Sequence, residues 1–236
     1  MLFQADHIAW QSAAGRRLDE FARRLPPEPP LEIYVFGSAP LQLLIDPQFL
    51  SADIDLFGDE ATYDLLLRFV EHQGWTQEKS AQFYIQVCDP LAFKSTHDWR
   101  SRTIEVARHG HRLRLVHPWD VLVSKLQRLE EKDLNAFRLV VGKTGHPTEE
   151  EFARHLQLAV DLYRPKFDEE SARGDMLMNT RLVWQALWGH DIDVRARIIR
   201  PALERAEREY RPADPTLKTR LANLRLPDAP PDSGSP

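Results

Sequence analysis

LEIYVFGSAPLQLLIDPQFLSADIDLF, Leu31 to Phe57, decides how this chain folds. Leu31 to Phe36 is rich in branched and aromatic residues and reads as a β-strand. Gly37 and Ser38 break it. Pro40 to Ile45 restarts the chain as a helix, with Ser38 as the N-cap and Pro40 in the first turn. Ala52 to Phe57 is a second short strand. Side chains two apart on a strand point to the same face, so Asp53 and Asp55 stand side by side while Ile54 and Leu56 face a core.

Upstream of this stretch, apolar residues Ile8, Leu18, Phe21, Ala22 and Leu25 predict an amphipathic helix over residues 6–25. It ends at Pro26, Pro27, Pro29 and Pro30, a stiff linker in which a helix cannot continue. Downstream, Thr62 to Gln73 reads as a helix and Phe83 to Cys88 as a third strand. Thr103 to Ala107 and Arg112 to Val116 form a hairpin whose turn contains Gly110, free to take positive φ. Trp119 to Leu129 places Trp119, Leu122, Val123, Leu126 and Leu129 on one helical stripe. After Gly145 the pattern turns helical: Glu149 to Tyr163, Ser171 to Leu187 and Val194 to Arg211. The tail, PDAPPDSGSP, has the composition of a disordered segment.

The expected class is α+β: a small mixed β-sheet core flanked by helices, followed by a helical C-terminal region. The expected divisions are an N-terminal helix and linker over 1–30, the core over 31–145, the helical region over 146–226 and the tail over 227–236. No internal repeat is visible.

The bulk numbers exclude some classes. The 236 residues are 42% hydrophobic, ordinary for a folded protein, and the formal net charge of -5 gives no global attraction for nucleic acid. Between Arg195 and Arg225, however, nine Lys/Arg stand against four Asp/Glu. Such a segment either contacts phosphate backbones or is a solvated helix face. Cys88 is the single cysteine, which excludes an internal disulfide and a thiolate cluster; its apolar neighbours mark it as a small core residue. No secretory leader and no apolar run of the ~20 residues needed to span a bilayer is present. The expected location is the cytoplasm, with no membrane partner.

The chemistry lies in the carboxylate pair. Two adjacent acids repel, and burial worsens the conflict. A cation resolves it, and oxygen ligands on a short strand suit Mg²⁺, which takes one or two carboxylates and fills its shell with water and phosphate. Gly37-Ser38, between a strand and a helix, offers amides and a hydroxyl to an anion, and Gly37 lets a phosphate approach the backbone. Either feature alone also fits an ordinary turn; the ordered set strand, Gly-Ser, helix, strand, Asp-x-Asp is far more specific.

Val35 to Ser38, "VFGS", followed by Ala52 to Phe57, "ADIDLF", resembles the signature of the polymerase-beta-like nucleotidyltransferase superfamily. Val116 to Asn135, "VHPWDVLVSKLQRLEEKDLN", is similar to a segment of minimal nucleotidyltransferases of the AbiEii-like and related toxin–antitoxin groups. The resemblance covers about residues 30–140. It implies that Gly37 and Ser38 contact nucleotide phosphates and that Asp53 and Asp55 bind Mg²⁺ or Mn²⁺. It further implies that Lys125 pairs with the triphosphate or the reacting hydroxyl, and that Asp133 completes the site as a base or positioning group. The partners implied are an NTP, an RNA or protein acceptor and a cognate antitoxin. The residues themselves leave Lys125 free to snorkel to water and Asp133 free to be part of an exposed helix end.

The superfamily often has a third carboxylate on a later strand. Glu105, with apolar flanks, is the expected one; Gln86 stands where an acid could on the alternative strand, with Asp89 beyond it. Of the remaining polar groups, His109 and His111 read as an exposed turn rather than a metal site. Asp98 to Arg102 reads either as a nucleic-acid contact or as a loop anchored by Trp99. Arg112 and Arg114 share the polar face of a strand, and Trp184 and Trp188 belong to a core. The function expected is metal-dependent nucleotidyl transfer to an RNA or protein hydroxyl, with the basic C-terminal segment favouring RNA. The alternative is a catalytically inactive module of the same fold that binds nucleotide or a protein partner.

Overall fold

The computed structural model describes residues 3, 7–49, 51, 53–76, 84–160 and 176–209. The chain divides into two compact units, residues 1–202 and 203–236, and the sheet with the helices around it lies in the first. Its elements run α1 (Ala13–Arg24), β1 (Glu32–Phe36), α2 (Ala39–Leu44), β2 (Asp53–Phe57), α3 (Tyr63–His72) and β3 (Tyr84–Val87). They continue with β4 (Ile104–Arg108), β5 (His111–Leu115), α4 (Pro118–Lys125), α5 (Glu131–Thr144), α6 (Glu149–Gln157) and α7 (Met176–Trp188). A widened helical turn, Arg195–Ile199, leads into a last helix, Arg200–Glu209. The fold is α+β, as expected. The proposed tail, and parts of the helices expected over 149–163, 171–187 and 194–211, lie outside the described residues.

The five strands form one mixed sheet in the order β3-β2-β1-β5-β4. β1 pairs antiparallel with β2 and parallel with β5, β2 pairs parallel with β3, and β4 with β5 makes the antiparallel hairpin. Because side chains alternate, the register assigns each face a single character. One face carries Ile33, Val35, Ile54, Leu56, Ile85, Leu113 and Leu115, all fully buried. It packs against Leu18 and Phe21 of α1, Leu43 of α2 and Leu66 and Val70 of α3. The other face carries the polar members, including Glu32, Tyr34, Asp53, Asp55, Gln86 and Arg114. An aromatic layer covers its middle: Tyr34 stacks on Phe57 at 5.1 Å, and Phe93 meets Phe36 at 5.2 Å and Trp99 at 5.0 Å.

Several sequence-based boundaries shift for local reasons. α1 begins at Ala13 rather than residue 6, because the Ser12 hydroxyl accepts the Gly15 amide at 3.0 Å and Gln42 accepts the Ala14 amide at 2.6 Å. The chain before it folds back onto Gly15, where an added Cβ would lie 2.5 Å from the Ala9 carbonyl. The hairpin turn is a two-residue loop with φ of 49° at His109 and 87° at Gly110, the paired positive values that match strand twist. His111 is buried and its Nδ1 accepts the Leu31 amide at 3.2 Å, while His109 lies 3.0 Å from Asp19, so the two histidines serve separate elements. The helix expected over Trp119–Leu129 stops at Lys125, since Leu129 takes a left-handed φ of 43°. α5, beginning two residues later, ends at Gly145 in a left-handed cap with φ 69°. Trp184 is fully buried and stacked on Phe152 at 5.7 Å.

Candidate active site

The register of β1 and β2 places Phe36 opposite Asp55, so β1 ends beside the carboxylate pair. The next residue, Gly37, has φ +66°, and a Cβ built there would lie 2.1 Å from Asp55 Oδ2. Both the backbone conformation and the closeness of the carboxylate therefore require glycine. Ser38 precedes α2 as expected, but its side chain does not cap the helix. Its hydroxyl instead accepts a hydrogen bond from Lys125 Nζ at 3.2 Å. The same ammonium donates to Asp133 Oδ1 at 2.7 Å.

Asp133 is 1% exposed, not the solvated helix end that its neighbours Glu130, Glu131 and Lys132 suggest. Its second oxygen accepts the Glu130 amide at 3.0 Å. Asp133 thus locks the start of α5 and aims Lys125 at Ser38. The pair joins α4 to α5, and the short turn between them, through Arg128 and Leu129, brings Arg128 and Lys132 to the rim. Both pair with Glu130, at 2.9 Å and 3.0 Å.

These groups surround a cavity of about 440 Å³ lined among others by Gly37, Ser38, Asp53, Asp55, Lys125 and Asp133. Asp53 accepts a hydrogen bond from the Tyr84 hydroxyl at 2.9 Å. Asp55 is pushed up to about 7 by burial, with Asp53 beside it adding to the rise and Lys125 and Arg128 pulling the other way. The Cys88 thiol lies 4.0 Å from its Oδ1. Cys88 is therefore not the plain core residue expected; it is half-buried against Asp55, and burial followed by the two aspartates pushes its thiol up to about 12. A half-buried carboxylate beside a second one is the charge conflict that a hard divalent ion relieves. The donor set, two carboxylates open to water and phosphate oxygens, fits Mg²⁺ or Mn²⁺.

Gly37, Ser38, Asp53, Asp55, Lys125 and Asp133 come together; Glu105 does not. It sits on β4, three strands from β2 in the sheet order, about 14 Å away at ordinary strand spacing. There it pairs with Arg114 at 2.9 Å. Apolar flanks mark a strand residue but say nothing of which strand it pairs with, which is why the expectation of Glu105 as a third ligand is corrected here. Asp89 follows β3, turns the chain by accepting the Leu91 amide at 2.7 Å, and lines a neighbouring cavity. The register partner of Asp55 on β3 is Gln86, which lines the site. Among the described residues no group of three or more His, Cys, Asp or Glu forms a metal cluster.

Sequence reasoning missed Arg128, Lys132 and Phe93 as lining residues; the basic residues flanking the Glu-Glu pair before Asp133 were the available signal. The Asp98–Arg102 loop proves to be anchored rather than free. Trp99 is buried, and Arg102 pairs with Asp98 at 2.7 Å and Asp120 at 3.0 Å. Arg112 and Arg114 pair with Glu32 at 3.1 Å and 3.3 Å on the sheet surface.

A family model described as a nucleotidyltransferase of unknown function (DUF6036) matches residues 16–138, a span that holds every cavity residue named above. No curated protein and no solved structure matches the chain.

Proposed function

The chain belongs to this nucleotidyltransferase family, and on that premise we propose that it moves a nucleotidyl group from a nucleoside triphosphate to an RNA or protein hydroxyl. The observation that carries this reading is the cavity whose one wall holds Asp53 and Asp55 against Gly37, and whose other wall holds Lys125 on Ser38. Asp53 and Asp55 are the residues that would hold Mg²⁺ or Mn²⁺. Such an ion, when bound, neutralises charge on the transferring phosphorus.

The protein's own groups do the rest by positioning. The amides after β1 offer hydrogen bonds to phosphate oxygens, and the missing side chain at Gly37 lets the Asp55 carboxylate stand against that turn. An ammonium has three donors; Ser38 and Asp133 take two of Lys125's, and the third is left for a phosphate oxygen. Arg128 and Lys132 add positive charge at the rim, where a departing pyrophosphate collects it. Among the described residues, no helix is long and apolar enough to cross a membrane.

Incubation with each α-labelled NTP, Mg²⁺, total RNA and total protein tests the reading. Label is expected in one polymer with the wild type and is expected to vanish with Asp53→Asn. Absence of both nucleotide binding and transfer would falsify it. The similarity of Val116 to Asn135 to toxin nucleotidyltransferases supports a place in a toxin–antitoxin pair with a cognate antitoxin as partner. Induced expression should then arrest growth, and Asp53→Asn should not.

A second reading has an observation of its own. Gln86, opposite Asp55, cannot accept a proton, which favours a module that binds nucleotide without turnover. Gln86→Asp discriminates: a turnover enzyme gains transfer rate from the added base, about a hundredfold at the low end for general bases, whereas a binding module remains silent.

A further inference from the structure

We propose that the acceptor docks in the cavity beside the nucleotide site and that it is a polypeptide, presenting a Ser, Thr or Tyr hydroxyl next to Lys or Arg; this rests on the transferase reading above. The second cavity, of about 980 Å³, is more than twice the size of the first. It occupies the same sheet face. Tyr34 and Phe57 line it, each two residues along its strand from Phe36 and Asp55 of the nucleotide site. Residues two apart lie about 6.5 Å apart on one face, so the two cavities adjoin. The segment after β3 divides them: Asp89 to Leu91 lines the larger and Ala92 and Phe93 the smaller. A transferase needs two substrates side by side, and the smaller cavity is committed to the nucleotide by its Gly37-Ser38 turn and Lys125.

Charge selects the occupant. Glu32, Asp59, Glu60 and Asp89 line the larger cavity against Arg100 and Arg112. Glu32 and Arg112 neutralise each other at 3.1 Å, and Arg100 lies over Tyr34 and Trp99. Three carboxylates then face one guanidinium over an aromatic floor. Nucleic-acid affinity comes from neutralising phosphates with Lys and Arg, so this wall opposes an RNA backbone and attracts a basic peptide. Lys125, Arg128 and Lys132 line the other cavity, where the donor's phosphates belong. In the step itself, the acceptor oxygen forms a bond to the α-phosphorus and the bond from that phosphorus to the bridging oxygen breaks. Pyrophosphate leaves with the electron pair, and the hydroxyl proton passes to water, Gln86 being unable to take it.

The test uses the full chain, each α-labelled NTP and Mg²⁺, with total protein and total RNA from one cell extract as acceptors. Glu60→Lys and Leu91→Lys change exposed positions of the larger cavity. The expected result is acid-precipitable label that protease removes and ribonuclease does not. Each variant should lower it at least tenfold, while calorimetric binding of a non-hydrolysable α,β-methylene NTP with Mg²⁺ stays unchanged. Label on RNA, or protein label indifferent to both variants, overturns the peptide acceptor and leaves the transferase standing. Nucleotide binding with no label in either polymer overturns it as well. Loss of both binding and transfer in the wild type overturns the transferase reading and this proposal together.

Discussion

Gly37 and Asp55 are the residues on which the site turns, because each explains the other. The left-handed backbone at Gly37 places its missing side chain where Asp55 Oδ2 stands. Gly37→Ala pays about 1–3 kcal/mol in backbone conformation and also pushes the carboxylate aside. The expected outcome is a lower melting temperature together with Mg²⁺-nucleotide binding weakened at least tenfold by calorimetry. Asp55 also gives a pH signature. Its folded-state value is raised to about 7 from 3.8, so its contribution to stability is complete below about pH 4 and is lost as pH rises toward 7. In the absence of divalent cations, Asp55→Asn should therefore match the wild type near pH 4 and exceed it increasingly up to pH 7. The difference grows by at most about 1.4 kcal/mol per pH unit. Urea titrations of both proteins at several pH values measure it; a difference that does not grow with pH would remove Asp55 as a half-buried, conflicted acid.

At the scale of elements, the site is a joint between the sheet and the α4–α5 corner. Lys125 at the end of α4 and Asp133 in the first turn of α5 are 13% and 1% exposed, so their charges are largely removed from water. Breaking such a pair from one side leaves a buried charge and costs about 3–5 kcal/mol. Lys125→Met should lose stability on that scale in urea unfolding. The double variant Lys125→Met/Asp133→Asn should recover part of it, because the orphaned charge is gone. Nucleotide binding should not recover in the double variant, since nothing then reaches across the cavity to Ser38. Recovery of binding with stability would make the pair a purely structural brace.

For the molecule as a whole, a buried polar knot ties the sheet face to the helices. Asp120, on the same helix as Lys125, is fully buried. It accepts from Ser95 at 2.6 Å, Thr96 at 3.1 Å and Arg102 at 3.0 Å, and lies 3.2 Å from His155 of α6. Burial acts to raise its pKa, yet His155 and Arg102 hold the carboxyl well below its usual range. The aromatic loop, α4 and α6 therefore meet at one charge. Asp120→Asn leaves the half-buried Arg102 with Asp98 as its remaining carboxylate partner and should cost about 1–3 kcal/mol, the scale for leaving buried polar groups poorly satisfied. It should also raise hydrogen exchange in α4 and α6 together; a rise confined to the loop would show that the knot does not couple them.

Leu31 to Phe57 carried the strand, turn, helix and strand in its own residues, because alternation, a glycine break and a proline in a first turn are local physics. For the same reason Asp53 and Asp55 could be placed on one face; Lys125 and Asp133 came only from the resemblance to a known family, their own residues fitting a solvated helix equally well. Which strand lies beside which is not local. Glu105 and Gln86 look alike along the chain, and pairing put Gln86 against Asp55 and Glu105 on β4, at the other end of the sheet. The burial of Asp133, the thiol beside Asp55 and the second cavity likewise arose only when distant segments packed, because desolvation and proximity belong to neighbours in space rather than in sequence.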